Sequence, residues 1–295
     1  MTWVHESSTR LMASPERIYH ALVDGGELRA WFAEYVEIVP SLGGSYRFWG
    51  RHTLGLPGPQ DADQRILRLE TDRALTFSWC LLGVPTGVSI ALAAVPAEPS
   101  APGPVTSVTL HHRGERPLAQ PREKELIDDF WKLSFGNLGA HLTGAELLRP
   151  DFGDPSPEIR YSILIDAPPA VVFQALIEPE SLNQWIAAAA VVEPRVGGRF
   201  EFGWKYQIDG RDVTGGPTRI LELEPDRRLV VDWPDWRGDT TVRVQRLSFE
   251  LEPVGPQTRV TLVHSGFERA ADISDYPFGW GHFLSQLVLV ATGQR

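Results

Sequence analysis

The sequence repeats itself, and this repeat constrains the fold more than any other feature of the chain. Residues of the first half recur in the second half at a constant offset of 154 for more than sixty positions without a gap. Trp31 lies over Trp185, and the pair Gly43-Gly44 lies over Gly197-Gly198. A chain of 295 residues could hold one large domain or two ordinary ones, and the repeat favours two copies of one unit.

Shorter offsets extend the match toward the end of each copy. Residues 108–114 meet residues 260–266 at an offset of 152, and Trp131 meets Trp280 at an offset of 149. The offset changes only between matched blocks, which indicates that loops differ in length while the elements are kept. Between the copies, residues 149–157 contain three prolines and two aspartates, a composition typical of an extended linker. We predict domains at residues 1–149 and 158–295, joined by a linker at 150–157.

Each copy is predicted to be an α+β unit. A strand opens it (residues 3–11 and 159–165), and a helix follows, with Ser14 as N-cap and Pro15 in the first turn of the first copy. A second short helix, about six antiparallel strands and one long C-terminal helix complete the unit. The long helices are predicted over residues 122–148 and 278–292. An antiparallel sheet wrapped around a long helix leaves an apolar cavity wherever the inner residues cannot all meet.

Alternation along the strands predicts which side chains face that cavity. In the second copy, one strand ending in an Asp209-Gly210 hairpin turn has an inner face made of Phe200, Phe202, Trp204, Tyr206 and Ile208. In the first copy, the inner face includes Leu67, Leu69, Leu75, Phe77 and Trp79. Gly50 and His52 stand where the second copy has Trp204 and Tyr206. We therefore expect the second copy to hold the more ligand-competent cavity.

Composition excludes several classes of function. The net charge of −10 repels nucleic acid, and no apolar run reaches the ~18 residues of a membrane span. The N-terminus lacks the build of a secretory signal, so we expect a cytoplasmic protein. Cys80 is the one cysteine, which excludes an intramolecular disulfide and a zinc site of paired thiolates. The sequence also lacks the familiar catalytic and metal-binding motifs, so no metal or cofactor is expected.

Two pairs of duplicated polar residues are candidates for chemistry. His112 and His264 share strand parity with inward leucines, so either imidazole could orient a ligand or act as an acid or base. The alternative is a hydrogen-bonded core histidine. Arg65 and Arg219 share parity with the leucines of the following strand, and each could pair with a buried or ligand carboxylate. The alternative is an arginine whose head extends into solvent at a strand end.

Aromatic residues are the candidates for the cavity wall. The chain has ten tryptophans, and such rings serve either as core or as the wall of a pocket. With one phenylalanine from each copy, one tyrosine and the two histidines, the predicted cavity residues are Trp31, Phe48, Trp79, His112, Trp131, Trp185, Phe202, Trp204, Tyr206, Trp233, His264 and Trp280.

Both halves resemble the SRPBCC superfamily, also described as START-like or helix-grip, and most closely its branch named after the activator of heat-shock-protein-90 ATPase. The order of elements, the tryptophan after the first helices, the Gly-Gly turn and the run from Arg219 to Trp233 carry the resemblance. It covers about 140 residues twice and implies two tandem helix-grip domains. Members of this superfamily are cavity proteins that bind lipids, hormones or polyketides, and a minority are enzymes.

The resemblance implies three functions of different classes. The leading one is a binding protein for a small apolar or aromatic molecule, without assured catalysis. The first alternative is a didomain aromatase/cyclase-type enzyme that acts on polyketides without a metal, chiefly by positioning a flexible chain. The second is a partner that activates a chaperone ATPase. It is disfavoured, because both copies are accounted for as helix-grip units and no separate domain is left to bind a chaperone.

Overall fold

A computed structural model describes residues 3–96, 103–117, 122–208, 210–273 and 276–294, with the backbone alone for Arg122 and Ala271. The chain divides into two compact units. The first comprises Met1–Asp154 with the short segment Ala270–Asp275, and the second comprises Pro155–Arg269 with Tyr276–Arg295. The division after Asp154 falls inside the predicted linker. Among the described helices, none combines the length and the apolar character that crossing a membrane requires.

The first unit has the predicted order of elements. These are β1 (Trp3–Leu11), α1 (Pro15–Val23), α2 (Gly25–Trp31), β2 (Tyr35–Ile38), β3 (Tyr46–Trp49), β4 (Ile66–Glu70), β5 (Ala74–Leu81), β6 (Val84–Val95), β7 (Val105–Gly114) and α3 (Arg122–Thr143). Five strands form an antiparallel sheet in the order β1-β7-β6-β5-β4, and β2 pairs with β3. The buried faces of the sheet, of α1 and α2 and of α3 form one hydrophobic core.

The two short helices begin where their capping residues predict. Ser14 Oγ accepts a hydrogen bond from the backbone N–H of Arg17 at 3.4 Å, and Pro15 occupies the first turn. Asp24 caps α2 by accepting from the backbone N–H of Gly26 and of Glu27. Apolar side chains spaced at helical intervals then bury one face of α1 against the core. Sequence-local signals therefore determine both helix starts.

The second unit repeats this architecture with more strands. Its elements are β8 (Ile159–Ile165), α4 (Pro169–Ile177), α5 (Pro179–Trp185), β9 (Val191–Val192), β10 (Phe200–Glu201), β11 (Trp204–Ile208), β12 (Arg211–Gly215), β13 (Ile220–Glu224), β14 (Arg228–Trp233), β15 (Gln245–Val254), β16 (Gln257–Ser265) and α6 (Tyr276–Ala291). Five strands form an antiparallel sheet in the order β13-β14-β15-β16-β8. The strand pairs β9–β10 and β11–β12 form two separate ribbons.

The duplication extends to individual hydrogen bonds. The indole N–H of Trp31 donates to the carbonyl of Ala21 at 3.0 Å, and that of Trp185 donates to the carbonyl of Ala175 at 2.9 Å. Both residues of each pair are related by the offset of 154. Two threonines related by the offset of 152 make a second duplicated bond, from Thr106 to Ala13 and from Thr258 to Ala167, each at 2.7 Å. The repeat in the sequence is thus a repeat in the three-dimensional contacts.

The long helices differ from their predicted bounds. The first ends at Thr143, five residues before the predicted Leu148. Gly144 follows with φ of +71°, the left-handed conformation that commonly terminates a helix and that glycine adopts without strain. Apolar spacing alone could not show this stop, because Leu147 and Leu148 continue the pattern. The second helix begins at Tyr276 and ends at Ala291, close to its prediction.

The strand predicted from Phe200 to Ile208 is two strands. Gly203 interrupts it with φ of +71°, and a Cβ at this position would lie 2.6 Å from the carbonyl oxygen of Ala189. Phe200 and Phe202, before the break, are fully buried, whereas Trp204 and Tyr206, after it, are half-buried. Asp209 of the predicted hairpin turn lies outside the described residues.

The predicted inner face of β4 is wrong at Leu67. This side chain is 54% exposed, while its neighbour Ile66 is fully buried. The register of β4 against β5 shifts between Ile66 and Arg68, as at a β-bulge. One extra residue in a strand moves every later side chain to the opposite face of the sheet. No feature of the local sequence predicted this bulge.

Candidate functional site

His112, on β7, is fully buried in the first unit, and both of its ring nitrogens are engaged. The indole N–H of Trp131 on α3 donates to Nδ1 at 3.0 Å. Nε2 lies 2.9 Å from the hydroxyl of Thr86, and this hydroxyl donates in turn to the carbonyl of Trp79 at 2.8 Å. The ring of His112 also stacks on Trp79, with 5.2 Å between centroids. The imidazole therefore joins the sheet to the long helix.

His264 repeats this arrangement in the second unit. The indole N–H of Trp280 on α6 donates to Nδ1 at 3.2 Å, and Nε2 lies 3.1 Å from Oε1 of Gln245 on β15. Gln245 thus replaces Thr86 as the partner on the sheet. Sequence reasoning placed both histidines inside by strand parity, but it could not find these partners, which are distant in sequence.

The hydrogen bonds fix the protonation of both histidines. An indole N–H can only donate, so Nδ1 of each ring is the acceptor and Nε2 carries the proton. Burial lowers the pKa of His112 to about 3, with a smaller contribution from His5, and burial alone lowers the pKa of His264 to about 3. Both rings are therefore neutral near neutral pH. This geometry suits a core histidine better than a group that exchanges protons with a ligand.

The two units differ at the neighbouring tryptophan. In the second unit the indole N–H of Trp233 donates to the hydroxyl of Tyr276 at 3.1 Å. In the first unit the equivalent Nε1 of Trp79 is buried and meets no hydrogen-bond acceptor among the described residues. Ile127 stands at the position of Tyr276 at the offset of 149. The polar network is therefore longer in the second unit.

Most of the predicted cavity residues of the first unit are packed against one another. Trp31, Phe48, Trp79 and Trp131 are at most 2% exposed. The ring of Trp79 lies 5.3 Å from that of Phe48 and 5.9 Å from that of Trp131, both in edge-to-face arrangements. A void of about 10 Å³ between α2, α3 and the residues after α3 is close to the smallest space that holds one water.

In the second unit two of the predicted residues are less buried than the rest, although the ring of Trp204 lies 5.1 Å from that of Phe202 and 6.0 Å from that of Trp233. Trp185, Phe202, Trp233 and Trp280 are buried, whereas Trp204 and Tyr206 on β11 are half-buried. Trp204 stacks on Phe283 of α6 at 5.8 Å, and the ring of Tyr206 lies 6.4 Å from that of Trp236. Phe283 and Trp236 are half-buried as well. We call these four side chains, Trp204, Tyr206, Trp236 and Phe283, the aromatic rim.

The polar side-chain atoms of Trp204 and Tyr206 are hydrogen-bonded to backbone carbonyls. The indole N–H of Trp204 donates to the carbonyl of Ile186 at 2.8 Å, and the hydroxyl of Tyr206 donates to the carbonyl of Trp236 at 2.7 Å. Both donors are therefore already satisfied without a ligand. What the two side chains leave accessible is therefore mainly ring surface.

A glycine on the neighbouring strand makes room for the rim. Gly215 on β12 lies directly opposite Trp204 in the antiparallel register. A Cβ at Gly215 would come within 2.1 Å of the hydroxyl oxygen of Tyr206. The ring of Tyr206 therefore lies across β12 because residue 215 has no side chain.

Arg65 and Arg219 do not face the core. The side chain of Arg65 is 57% exposed and pairs with Asp63 at 3.3 Å. That of Arg219 is 61% exposed, with Nε 3.4 Å from the buried carboxylate of Asp232. Both residues precede register shifts of their strands, which explains why parity with the following leucines was misleading. Neither arginine lies beside the histidine of its own unit.

Other reactive groups are scattered. His5 on β1 approaches Asp128 on α3, with 2.5 Å between Nδ1 and Oδ1, and Lys124 shares the same carboxylate oxygen at 2.6 Å. Cys80 is exposed. In the described part of the chain, no group of three or more His, Cys, Asp or Glu residues could hold a metal ion.

Comparison with known proteins identifies a family and several similar folds. The sequence pattern of the family "Activator of Hsp90 ATPase homolog 1-like protein" matches residues 12–143 and again residues 166–291. A search of the curated proteins finds no match.

Solved structures similar to the chain match either one half or the whole of it. Protein MLL2253 from Mesorhizobium loti is 22% identical, with 47% of this chain and 99% of that chain covered and a TM-score of 0.39. The Aha1 dimer from Colwellia psychrerythraea is 23% identical, with 46% and 96% covered and a TM-score of 0.36. DynU16, from the dynemicin biosynthetic locus, is 17% identical, with 98% of both chains covered and a TM-score of 0.40.

Proposed function

The chain belongs to the family of activator of Hsp90 ATPase homolog 1-like proteins, and from this premise we propose that it binds small apolar, flat molecules at the aromatic rim of its second unit. The observation that carries the proposal is the half-buried set of Trp204, Tyr206, Trp236 and Phe283, which lies beside α6 at the edge of the buried aromatic core. Rings held half-open in this way commonly form the wall of a ligand site.

The hydrogen bonds of the rim support an apolar ligand. The polar atoms of Trp204 and Tyr206 are already satisfied by backbone carbonyls, so a ligand gains most from stacking and from removing ring surface from water. The two buried histidines, with both nitrogens engaged, support binding rather than proton transfer. The proposed function is therefore binding and positioning of a flat molecule.

The expected affinity follows from the buried area. A ligand of two fused rings that buries roughly 200 Å² of apolar surface gains about 5 kcal/mol at ~25 cal/mol per Å². This corresponds to a dissociation constant of roughly 0.2 mM before the cost of association is included. Probes must therefore be titrated into the high micromolar range and above.

The test is a fluorescence titration of the full chain with N-phenyl-1-naphthylamine, a neutral aromatic probe. We expect Trp204→Ala to weaken probe uptake about tenfold, because it removes the stacking surface that joins β11 to α6. Trp49→Ala is the control for loss of a half-buried indole, since Trp49 stacks on the ring of Tyr35 at 5.6 Å in the other unit. This control should bind the probe as the wild type does.

A check of folding distinguishes loss of the ligand contact from loss of packing in the variants. Both variants should keep the far-ultraviolet circular dichroism spectrum of the wild type at the titration temperature. If folded Trp204→Ala binds the probe as tightly as the wild type does, or if neither wild type nor control binds it, the proposed function is wrong.

A further inference from the structure

The residues after α3 fold back onto the first unit. Residues 147–152, which we call the strap, were predicted to lie partly in an extended linker. Instead, specific hydrogen bonds hold them against the first unit. Asn137 on α3 accepts from the backbone N–H of Leu148 at 2.8 Å and donates to its carbonyl at 2.5 Å. His52 Nδ1 donates to the carbonyl of Pro150 at 2.9 Å, and the backbone N–H of Phe152 donates to the carbonyl of Arg51 at 2.8 Å.

The strap covers a cleft with aromatic walls. Trp31 and Phe32 at the end of α2 and Phe130 on α3 line it, and it contains the void of about 10 Å³. Phe152 of the strap lines the same cleft, with its ring 5.8 Å from that of Phe130. The ring of Phe152 thus occupies the place that a flat ligand would take. A ligand can enter only if this ring moves, because the remaining void holds about one water.

One cation in this cleft has unused hydrogen-bonding capacity. Nε of Arg149, on the strap, is buried and has no hydrogen-bond partner within the described residues. Its Nη2 makes a long bond of 3.4 Å to the carbonyl of Ala33. A guanidinium has five N–H donors, and a buried donor such as this Nε–H is costly without an acceptor. Arg149 is therefore poised to receive an acceptor from outside the protein.

The charges around Arg149 favour an anion. The charged groups that act on the guanidinium of Arg149 are Arg51 and Glu34. Arg51 pairs with Glu34 at 3.3 Å, which leaves the positive charge of Arg149 without a carboxylate of its own. This local excess of one positive charge stands against a net charge of −10 for the whole chain. A carboxylate fits a single guanidinium, which can donate two parallel hydrogen bonds to its two oxygens.

We propose that the cleft beneath the strap is a second ligand site, which binds a flat aromatic monocarboxylate in competition with Phe152. The aromatic ring of the ligand replaces that of Phe152 against Phe130, and the carboxylate accepts hydrogen bonds from the guanidinium of Arg149. The site goes beyond the proposed function, because it lies in the other unit and selects for charge, which the apolar rim does not.

The test compares two probes of the same shape by calorimetric titration of the full chain. 1-Naphthoate carries a carboxylate, and 1-naphthamide is its uncharged counterpart. Arg149→Gln should weaken 1-naphthoate binding about tenfold or more, as expected for loss of a charged hydrogen bond, and should change 1-naphthamide binding less than about twofold. Arg68→Gln removes an equal charge at an exposed position of the first unit and should change neither.

Phe152→Ala tests the competition. Without the ring, 1-naphthoate should bind about two- to tenfold more tightly, the range expected for one aromatic contact. This gain should disappear when Arg149→Gln is added, whereas Trp204→Ala in the other unit should not affect it.

The outcomes are distinguishable from those of the rim. Equal binding of 1-naphthoate by wild type and Arg149→Gln, or an equal loss in Arg68→Gln, would overturn the proposal while leaving the neutral-probe result at the rim intact. No gain in Phe152→Ala would likewise overturn the competition between ligand and strap.

Discussion

The two buried histidines make the stability of the folded chain depend on pH. In the folded chain the pKa of His264 is about 3, because burial disfavours the charged ring, whereas an unfolded histidine titrates near 6.5. Below about pH 6.5 the histidine of the unfolded state binds a proton, whereas the buried ring of the folded state remains neutral. Acid therefore favours unfolding, and the stability contributed by the neutral ring is complete above that pH and is lost as pH falls toward 3.

We predict that each unit loses about 1.4 kcal/mol of stability per pH unit below about pH 6.5 from its buried histidine. His264→Gln removes this titration from the second unit and should flatten its pH dependence between about pH 6 and about pH 5. Urea unfolding, with the transitions of the two units fitted separately, measures it. His111→Gln is the control, because His111 is half-exposed. An unchanged slope in His264→Gln would show that the ring is charged or exposed in the folded chain.

The inward direction of His112 could be predicted from the sequence, because side chains alternate along a strand with a period of two and His112 has the same parity as Leu110. Parity was misleading for the direction of Arg65 and Arg219, because a register shift in each strand changes parity without a local signal. Both heads are exposed, as in the alternative stated for them, and Arg219 also pairs with the buried carboxylate of Asp232. The partners Thr86 and Gln245 were also missed. They pair with their histidines across neighbouring strands of the folded sheet, and each lies far from its histidine in sequence.

Among the elements, the helices offer a direct contrast between two glycines. Gly144 ends α3 at φ of +71°, where any side chain is strained, so Gly144→Ala should destabilise the first unit by about 1 kcal/mol. Gly281 lies inside α6, and a Cβ there would meet nothing within 4 Å. Gly281→Ala should therefore stabilise the second unit by about 0.5–1 kcal/mol. Thermal unfolding gives both signs, and equal signs would contradict the helix bounds described here.

The elements were largely predictable because their signals are local or repeated. The capping residue Ser14 predicted the start of α1. Because the two copies match at an offset of 154, the order of elements in one copy also predicted the order in the other. The break at Gly203 was missed because alternation continued through it from Phe202 to Trp204. The end of α3 was missed because the strap carries apolar residues that pack on the unit without being helical.

For the whole molecule, the repeat predicts two units that fold independently. Cleavage of the chain between Asp154 and Pro155 keeps the strap with the first half and leaves each five-stranded sheet intact, and it removes only the short segment Ala270–Asp275 from the first unit. We expect each half to unfold cooperatively and to keep the helix and strand content that it has in the full chain. Circular dichroism during urea unfolding is the measurement. A half that is unfolded in isolation would contradict the domain boundaries.

At the scale of the whole molecule, we expect the ligand where aromatic rings are half-buried. The sequence predicted only some of these rings. The contrast between Trp204 and Tyr206 and their counterparts Gly50 and His52 favoured the second unit. Trp236 and Phe283 were not anticipated as neighbours of Trp204 and Tyr206, because they come from a loop and from α6. The proposal therefore rests on a cluster that only the fold assembles.

The most direct test of the central claim is to locate a bound apolar ligand. Crystals of the full chain soaked with 1-bromonaphthalene, measured at the bromine absorption edge, would show the ligand as an anomalous difference peak. We predict a peak against Trp204 and Phe283 in the second unit, and its loss in Trp204→Ala crystals. A bromine peak elsewhere and none at the aromatic rim would contradict the claim that this rim is the binding surface.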